Sequence, residues 1–353
     1  MLRLATITLL LPSVMALPEA ILASTVYVDC DNGSGIEDGS PEHPFQLISS
    51  GMDAASYGDT VLVMPGTYSE NIMVYMHDPD GMNRAAVIMK DGVSLASQAG
   101  PDSTLISAVG TEAGVYFDSC GAGTLLRGFA IETSGFGWGL RKSVVCWGSS
   151  PIIVENVLLP LYSGIYCRSQ SCPLMEANTI VDGALTFTSG SGGAAVGNLI
   201  DGRIGVNSYT EPALPVLIEG NDIFSDMRSR EDYGIDVRWA TEGDVRIIGN
   251  TIRNKEVGAL LCYGELSGNR FIDNTVNIEA RMYCEPRSDI LAKMNWWGTT
   301  DPAEIEAKII DCHDDDAIPG CVDYEPWCLD EECTQSPVLP LSWGRVKSLY
   351  RPQ

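Results

Sequence analysis

The sequence has few basic residues, and this scarcity narrows the functions open to it. Among its 353 residues, 22 are Lys or Arg and 47 are Asp or Glu, giving a formal net charge of -25. Such an acidic surface repels nucleic-acid phosphates and anionic lipids, so we expect neither as a partner. The motifs G-x-x-x-x-G-K-[ST] and G-x-G-x-x-G are both absent, so no phosphate-binding loop supports nucleotide chemistry.

Histidine is also rare, with only three residues in the chain. His43, His77 and His313 lie outside the repeats described below, which argues against a Ser-His-Asp site there. After residue 23 no segment is apolar over the length needed to cross a bilayer, so we expect no transmembrane segment in the mature chain.

Residues 1–23 have the pattern of a secretory signal peptide. Arg3 precedes a short apolar stretch, and the small residues Ala16, Ala20 and Ala23 follow it. Cleavage after Ala16 and cleavage after Ala23 both fit. The alternative is a buried N-terminal helix. We therefore predict a protein that is secreted or held on the outer cell surface of a bacterium.

Eleven cysteines agree with export, because disulfides persist in oxidising compartments. Their close spacing suggests three local disulfides: Cys167 with Cys172, Cys312 with Cys321 and Cys328 with Cys333. The odd number leaves at least one cysteine without a partner in the chain. A zinc site near His313 is the alternative for the last four, but no C-x-x-C occurs there.

The middle of the chain contains a degenerate repeat in which an apolar pair, a small or acidic residue and Asn precede another apolar residue. It recurs at intervals of about twenty residues, which is short for a propeller blade. Its short Ile- and Val-rich runs, separated by Gly, Asn and Asp, are typical of strands and turns. The repeated asparagines are Asn156, Asn178, Asn198, Asn221, Asn250, Asn269 and Asn295.

A repeat of this length made only of strands and turns, without a leucine ladder, predicts an all-β right-handed parallel β-helix. The repeated Asn then has a structural role, because it tolerates positive φ at a tight turn and its amide can hydrogen-bond to the equivalent Asn of the next coil. Helical spacing after Phe45 predicts an N-terminal capping helix. Asp301, Pro302 and Glu304 predict a C-terminal one, with Ile305 and Ile309 on one face.

These predictions divide the chain into four parts. Residues 1–23 form the signal peptide, and 24–300 the β-helix with its N-terminal cap. Residues 301–333 form the C-terminal cap with an acidic, Cys-rich segment, and 334–353 a basic tail. The tail either lies on its acidic neighbour or serves as an export or surface-attachment signal. We expect a monomer.

Two blocks resemble secreted right-handed parallel β-helix proteins of the pectin-lyase-like superfamily. Residues Val26–Asp29, Asp38–Phe45 and Gly58–Ile72 are similar to the start of such proteins. Residues Asn295–Asp311 and Val322–Trp327 look like the end cap of bacterial members. The resemblance covers roughly residues 25–330 and is specific for the fold. It implies a range of functions: polysaccharide lyases, hydrolases, epimerases, tailspikes and adhesins.

The resemblance also implies what to search for, since the lyases of this superfamily use Ca²⁺ with a Lys or Arg base. Five residues after the repeated Asn, successive units carry Arg203, Asp226, Lys255 and Asn274. Here Lys255 could abstract a proton, Arg203 could hold a carboxylate and Asp226 could bind Ca²⁺. The alternative is a structural row of ion pairs. For a hydrolase, Asp201 and Asp222 are only weak candidates because their offsets differ.

The longest unit adds a second group of candidates. Its extra residues contain Asp226, Arg228, Arg230 and Tyr233, which with Arg253 we predict to bind substrate. A plain solvated loop is the alternative.

Ca²⁺ is the one cofactor that these residues suggest. Asp29, Asp31 and Asp38 form an acidic loop that could hold it, although Gly33 and Ser34 break the EF-hand pattern.

From these observations we expect a secreted or cell-surface β-helix protein that binds polysaccharide or another surface glycan. A Ca²⁺-dependent polysaccharide lyase or epimerase is one alternative, and a polysaccharide hydrolase is another. A structural or adhesive surface protein is the third.

Overall fold

The computed structural model describes residues 23–74, 84–134, 141–207, 213–225, 233–238, 245–281 and 289–333. The predicted signal peptide, apart from Ala23, and the predicted basic tail lie outside these residues. The described part of the chain contains no helix long and apolar enough to cross a membrane.

The described residues form thirty short strands. In chain order they are β1 Thr25–Val28, β2 Thr60–Val63, β3 Gly66–Tyr68, β4 Ile72–Met73, β5 Arg84–Ile88, β6 Ser94–Ser97, β7 Thr104–Val109, β8 Ala113–Asp118, β9 Leu125–Arg127, β10 Ala130–Ser134, β11 Lys142–Trp147, β12 Ile152–Val154, β13 Val157–Leu159, β14 Ser163–Arg168, β15 Leu174–Glu176, β16 Thr179–Thr188, β17 Gly193–Val196, β18 Leu199–Asn207, β19 Val216–Glu219, β20 Asp222–Phe224, β21 Tyr233–Arg238, β22 Val245–Ile248, β23 Thr251–Arg253, β24 Val257–Leu261, β25 Glu265–Ser267, β26 Arg270–Ile272, β27 Val276–Ala280, β28 Ile290–Leu291, β29 Ile309–Ile310 and β30 Val322–Asp323.

The strands line three faces, and the chain visits the faces in turn. The first face is a parallel sheet of β1, β2, β6, β9, β12, β15, β17, β19, β22, β25, β28 and β30. The second face contains β3, β7, β10, β13, β20, β23 and β26 with the first halves of β16 and β18. The third face contains β5, β8, β11, β14, β21, β24, β27 and β29 with the second halves of β16 and β18. The pairing is parallel throughout, except that β4 pairs antiparallel with β5. The architecture is the predicted parallel β-helix.

Each face sends every second side chain inward, and in-register pairing stacks these side chains coil upon coil. On the first face Ile218 lies against Ile247, and Ile247 lies against Leu266. The second face stacks Ile200, Ile223, Ile252 and Phe271, and the third stacks Ile204, Ile235, Ala259 and Ile278. All of these are at most 1% exposed. Burial stabilises each large one by about 1.5–3 kcal/mol, so the core is one continuous column.

The seven repeated asparagines form a hydrogen-bonded ladder at the corner between the first and second faces. Each Asn before Asn295, the last of the ladder, donates from its backbone N and its Nδ2 to the Oδ1 of the Asn in the next coil, at 2.9–3.1 Å. Their Nδ2 atoms also donate to backbone carbonyls of the preceding coil, as Asn221 does to Ala195 at 2.9 Å. All seven are at most 2% exposed. Their polar groups are paired with one another, as buried amides must be.

At this corner the residue before the Asn, and not the Asn itself, has the left-handed backbone conformation with positive φ. Glu155, Ala177 and Met294 have φ of 57°, 53° and 55°, and Gly197, Gly220, Gly249 and Gly268 have φ of 62–65°. The expectation that the Asn tolerates positive φ was therefore wrong. The preceding residue makes the bend, and the Asn side chain is free to point along the ladder.

Two short helices are present near the ends of the described chain. Helix α1 spans Ile48–Ala54 and buries Ile48, Gly51 and Met52 against the first strands. Helix α2 spans Pro302–Glu306, with Asp301 as its N-cap and its Oδ1 accepting from Ala303 N at 2.9 Å. The helix is shorter than expected, because Ile309 already belongs to β29. Glu304 accepts from Thr299 Oγ1 instead of closing a capping box.

Two of the three predicted disulfides are present. Cys312 is bonded to Cys321 and Cys328 to Cys333, and Cys262 is also in a disulfide. The prediction of a Cys167–Cys172 bond is wrong for this structure, where both are thiols. Cys167 lies in β14 with its side chain in the core, opposite Cys146 of β11. Close sequence spacing misled here because a strand, not a loop, holds the first cysteine.

Replacing Asn221 by Ala should lower the free energy of unfolding by about 3 kcal/mol. It leaves the buried N and Nδ2 of Asn198 without their Oδ1 acceptor and the Ala195 carbonyl without its Nδ2 donor. Asn156→Ala is the matched control at the end of the ladder, where only Phe129 N donates to Oδ1. We expect about half the effect there, measured by urea unfolding. Equal losses would show that the ladder does not act as a chain of coupled bonds.

Replacing Ala177 by Gly should stabilise the protein by up to about 1 kcal/mol. A residue with a side chain costs about 1–2 kcal/mol in the left-handed region, and Gly removes this cost. The larger backbone entropy that Gly loses on folding offsets about 0.5–1 kcal/mol of that stabilisation. Ala130→Gly, in the extended strand β10, is the control and should destabilise. Thermal unfolding of both variants checks the sign, and a lower Tm for Ala177→Gly would contradict the assignment of strain to this corner.

Candidate active site

The third face carries a group of charged residues on its outer surface. Ile235 and Val237 of β21 point into the core, so Asp236 and Arg238 between and after them point outward. Asp236 is in register with Gly205, and Arg238 with Asn207. Arg203 lies in β18, and Arg281 follows β27 directly. The parallel register thus brings four charged residues from three strands to one place.

Three arginines surround the carboxylate of Asp236. Arg238 pairs with it through Nε and Nη2, Arg281 Nη2 lies 3.1 Å from Oδ1, and Arg203 Nη1 lies 3.7 Å from Oδ2. The Asp236 side chain is 1% exposed, whereas the arginine side chains remain 21–31% exposed. We call Arg203, Arg238 and Arg281 the arginine cluster. It presents three cations around a single buried anion, in a strongly acidic protein.

Small neighbours make room for this arrangement. The strand position beside Asp236 is Gly205, and Gly234 lies two residues before Asp236 in β21. The Arg203 guanidinium can therefore reach Asp236 with no bulky side chain between them. Arg238 additionally lies over the ring of Tyr233, with its Cζ 5.7 Å from the ring centroid. Tyr233, a predicted substrate-binding residue, thus borders the arginine cluster.

Lys255 does not share a column with Arg203. It is 3% exposed, and its Nζ donates to the Gly202 carbonyl and, at 2.7 Å, to Ser225 Oγ. Its backbone N donates to Asn274 Oδ1 at 3.0 Å, so only these two of the four predicted column members are shown side by side. Arg203 instead lies in register with Ala184, because β18 runs through the corner where other coils turn. To abstract a proton, Lys255 would have to leave its two partners.

The other predicted substrate-binding residues are divided between the second face and undescribed segments. Arg253 forms two hydrogen bonds of 3.0 Å to Asp222 and lies over the ring of Phe224, on the second face. It is therefore an ion-paired residue on a different face from the arginine cluster. Asp201 is in register with Phe224, so it does not share a column with Asp222. Asp226, Arg228 and Arg230 lie outside the described residues.

The structure brings together part of the predicted metal loop. Ligand atoms of Asp29, Cys30 and Asp31 lie within 4.8 Å of one another, but Asp38 is not part of this group. Asp29 Oδ1 accepts from Asp31 N, and hydrogen bonds from Ser40 lower the pKa of Asp38. A Ca²⁺ ion held by Asp29 and Asp31 would need further oxygen ligands from backbone carbonyls or water. Asp236 is unsuited to a cation, because guanidiniums occupy both of its oxygens.

Sequence reasoning missed Asp236, Arg238 and Arg281. A signal existed, since alternate residues of a strand share a face. Counting outward from the core residues Ile235 and Val237 selects Asp236 and Arg238. The same count from Ile278 and Ala280 selects Arg281.

Comparison with solved structures identifies the fold. A rhamnogalacturonan lyase superimposes with a TM-score of 0.51 at 11% identity, covering 86% of this chain and 88% of that one. The fold is a right-handed parallel β-helix, as in that lyase. Pectate lyase Pel9A matches this chain with a TM-score of 0.42 at 14% identity, covering 88% of this chain and 80% of that one. The Azotobacter vinelandii mannuronan C-5 epimerase AlgE4 A-module matches with a TM-score of 0.34 at 16% identity, covering 86% and 98%.

No protein-family model and no curated protein sequence matches the chain. The β-helix fold by itself does not determine what the outer surface binds.

Replacing Asp236 by Asn should destabilise the protein by about 2–3 kcal/mol, because three partly buried guanidiniums lose their common counter-charge. Glu155→Gln is the matched control. It breaks the Arg127–Glu155 pair, whose side chains are 56% and 51% exposed, and should cost no more than about 0.5 kcal/mol. Urea unfolding of both variants measures the difference. A loss for Asp236→Asn as small as that of the control would contradict a tightly coupled cluster.

Proposed function

We propose that this protein binds an acidic polysaccharide, with uronate carboxylates held by the arginine cluster on the third face. The observation that carries the proposal is the meeting of three partly exposed guanidiniums at this one place. Three guanidiniums meet one buried carboxylate, in a chain whose formal net charge is -25.

The geometry suits a carboxylate ligand. A guanidinium has five N–H donors in a planar fork, whose geometry matches the two oxygens of a carboxylate. Arg203, Arg238 and Arg281 remain 21–31% exposed, so they can be reached from solvent. Asp236 holds the forks in position before a ligand arrives. Such preorganised, partly desolvated arginines bind carboxylates through short charge-assisted hydrogen bonds.

The shape of the third face suits a polymer. Neighbouring strands lie about 4.8 Å apart, so an extended chain along the axis can contact one side chain from each coil. The outward column that contains Arg238 continues through Asn207 and Thr188 to Arg168 and Trp147. Arg168 lies over the Trp147 ring, 5.1 Å from its centroid. A glycan in this column would meet cations at both ends and an aromatic ring at one.

A polysaccharide lyase or epimerase is the second candidate function. Neutralising a uronate carboxylate with a guanidinium makes the neighbouring C–H more acidic, which both reactions require. In this candidate Lys255 would abstract the proton and Arg203 would hold the carboxylate. Lys255 would first have to leave Gly202 and Ser225. The rhamnogalacturonan lyase that superimposes on the chain makes this reaction class the first to assay.

We further propose that the protein works outside the cell, on the outer surface or in the medium of a bacterium, as a monomer. The signal-peptide pattern of residues 1–23 supports export. So do the disulfides Cys312–Cys321 and Cys328–Cys333, because such bonds persist in oxidising compartments.

The decisive experiment measures binding of the purified protein to polygalacturonate, alginate and a neutral glucan, with and without a chelator. We expect retention on one or both acidic polymers, no retention on the glucan and no effect of the chelator. Arg281→Ala should weaken binding at least about tenfold, while Arg281→Lys keeps the charge but loses the fork. Arg127→Ala, on the first face, is the control and should bind normally.

Ultraviolet absorbance of unsaturated uronates, recorded in the same samples, separates binding from β-elimination. New unsaturated product would establish the lyase. Equal binding by Arg281→Ala and the unaltered protein would remove the arginine cluster as the site. Binding that disappears with the chelator would show that a metal ion, not arginine, holds the glycan.

A further inference from the structure

Four cysteines that the proposed function does not use lie close together inside the third to fifth coils of the solenoid. Cys120, Cys146 and Cys167 are at most 2% exposed, and Cys172 is half-buried. Cys146 of β11 and Cys167 of β14 are directly opposite each other in parallel register, and both side chains belong to the core. Burial and the neighbouring Cys167 raise the pKa of the Cys146 thiol.

We propose that Cys146 and Cys167 are joined by a disulfide in the exported protein, covalently linking two consecutive coils from inside. Strands in register lie about 4.8 Å apart, within the range of about 4.4–6.8 Å between the Cα atoms of disulfide-bonded cysteines. The chain already forms other disulfides, so it folds where thiols are oxidised. This inference is independent of glycan binding.

The neighbouring cysteines are less suitable partners. Cys120 lies beyond the end of β8, where Phe117 and not Cys120 is in register with Cys146. Its Sγ faces the backbone carbonyls of Met89 and Asp118. Cys172 follows the turn after β14, and its N donates to the Ser149 carbonyl. Cys146 and Cys167 are the pair whose positions the sheet itself fixes.

The reaction is an exchange with an external disulfide, either of an oxidoreductase or of a small molecule. The two thiols give up two protons and two electrons to form one S–S bond, and the external disulfide is reduced to two thiols. Oxidation must occur before the coils close. Burial raises the pKa of Cys146 and shields it from oxidants in the folded state. The same burial should protect the finished bond from reductants.

The experiment is a peptide map of the full-length protein recovered from an export host. The protein is denatured in an alkylating reagent without reductant and digested with trypsin and a Glu-specific protease. Cleavage at Lys142, Glu155, Arg168 and Glu176 separates the cysteines into peptides 143–155, 156–168 and 169–176. We expect the first two to be linked and lighter by two hydrogens, and the third to be alkylated. Cys120, on peptide 113–127, should also be alkylated.

Two further samples locate the bond in the core. Reductant added to the folded protein should leave the linked peptides intact, and reductant added in urea should release them. Cys146→Ser should make Cys167 alkylatable after denaturation, whereas the control Cys120→Ser should keep the link. Alkylation of both Cys146 and Cys167 in the unaltered protein would overturn the proposal. So would a link between Cys167 and Cys172.

Discussion

In-register parallel pairing is the constraint on which the rest of this molecule depends. Each coil repeats the path of the one before, so every residue lies over an equivalent residue about 4.8 Å away. Apolar side chains then stack into a continuous core, and buried polar ones must satisfy each other. The asparagine ladder is the clearest result, because each Oδ1 after that of Asn156 accepts two hydrogen bonds from the coil before it, as in Asn250. Replacing one Asn of the ladder therefore also removes hydrogen bonds that the neighbouring asparagines make.

The same in-register pairing acts on the outside of the solenoid, where it brings charged side chains together instead of apolar ones. Stacking puts like residues side by side, and unshielded arginines in such a stack would repel one another. Asp236 relieves this by lying between Arg203, Arg238 and Arg281, nearly without solvent contact. The cost of burying it is offset by three partners, and the guanidiniums are held apart in fixed directions. Among the described residues, the result is a group of three guanidiniums around one carboxylate on an acidic protein.

Much of the fold could be predicted from the sequence, because its determinants are local and repeated. Asn at the corner, Ile and Val in short runs, and Asp301 before Pro302 each act within a few residues of chain. The arginine cluster was harder to predict, because it depends on registers between coils of different length. Arg203 and Lys255 both lie five residues after a ladder Asn, yet β18 runs straight through the corner and shifts one against the other. The Cys167–Cys172 prediction failed for a related reason, since spacing along the chain says little about which way a strand residue points.

The corner formed by a left-handed residue and its Asn has a wider consequence for how this molecule can change. Successive ladder positions are separated by 22, 20, 23, 29, 19 and 26 residues, yet the hydrogen bonds between them keep the same length. The corner sets the register of each coil on the one before it, whatever length of chain lies between two corners. An insertion in one coil therefore does not shift the register of the coils that follow. A solenoid built this way can acquire new loops for recognition one at a time, while the coils that support these loops keep their structure.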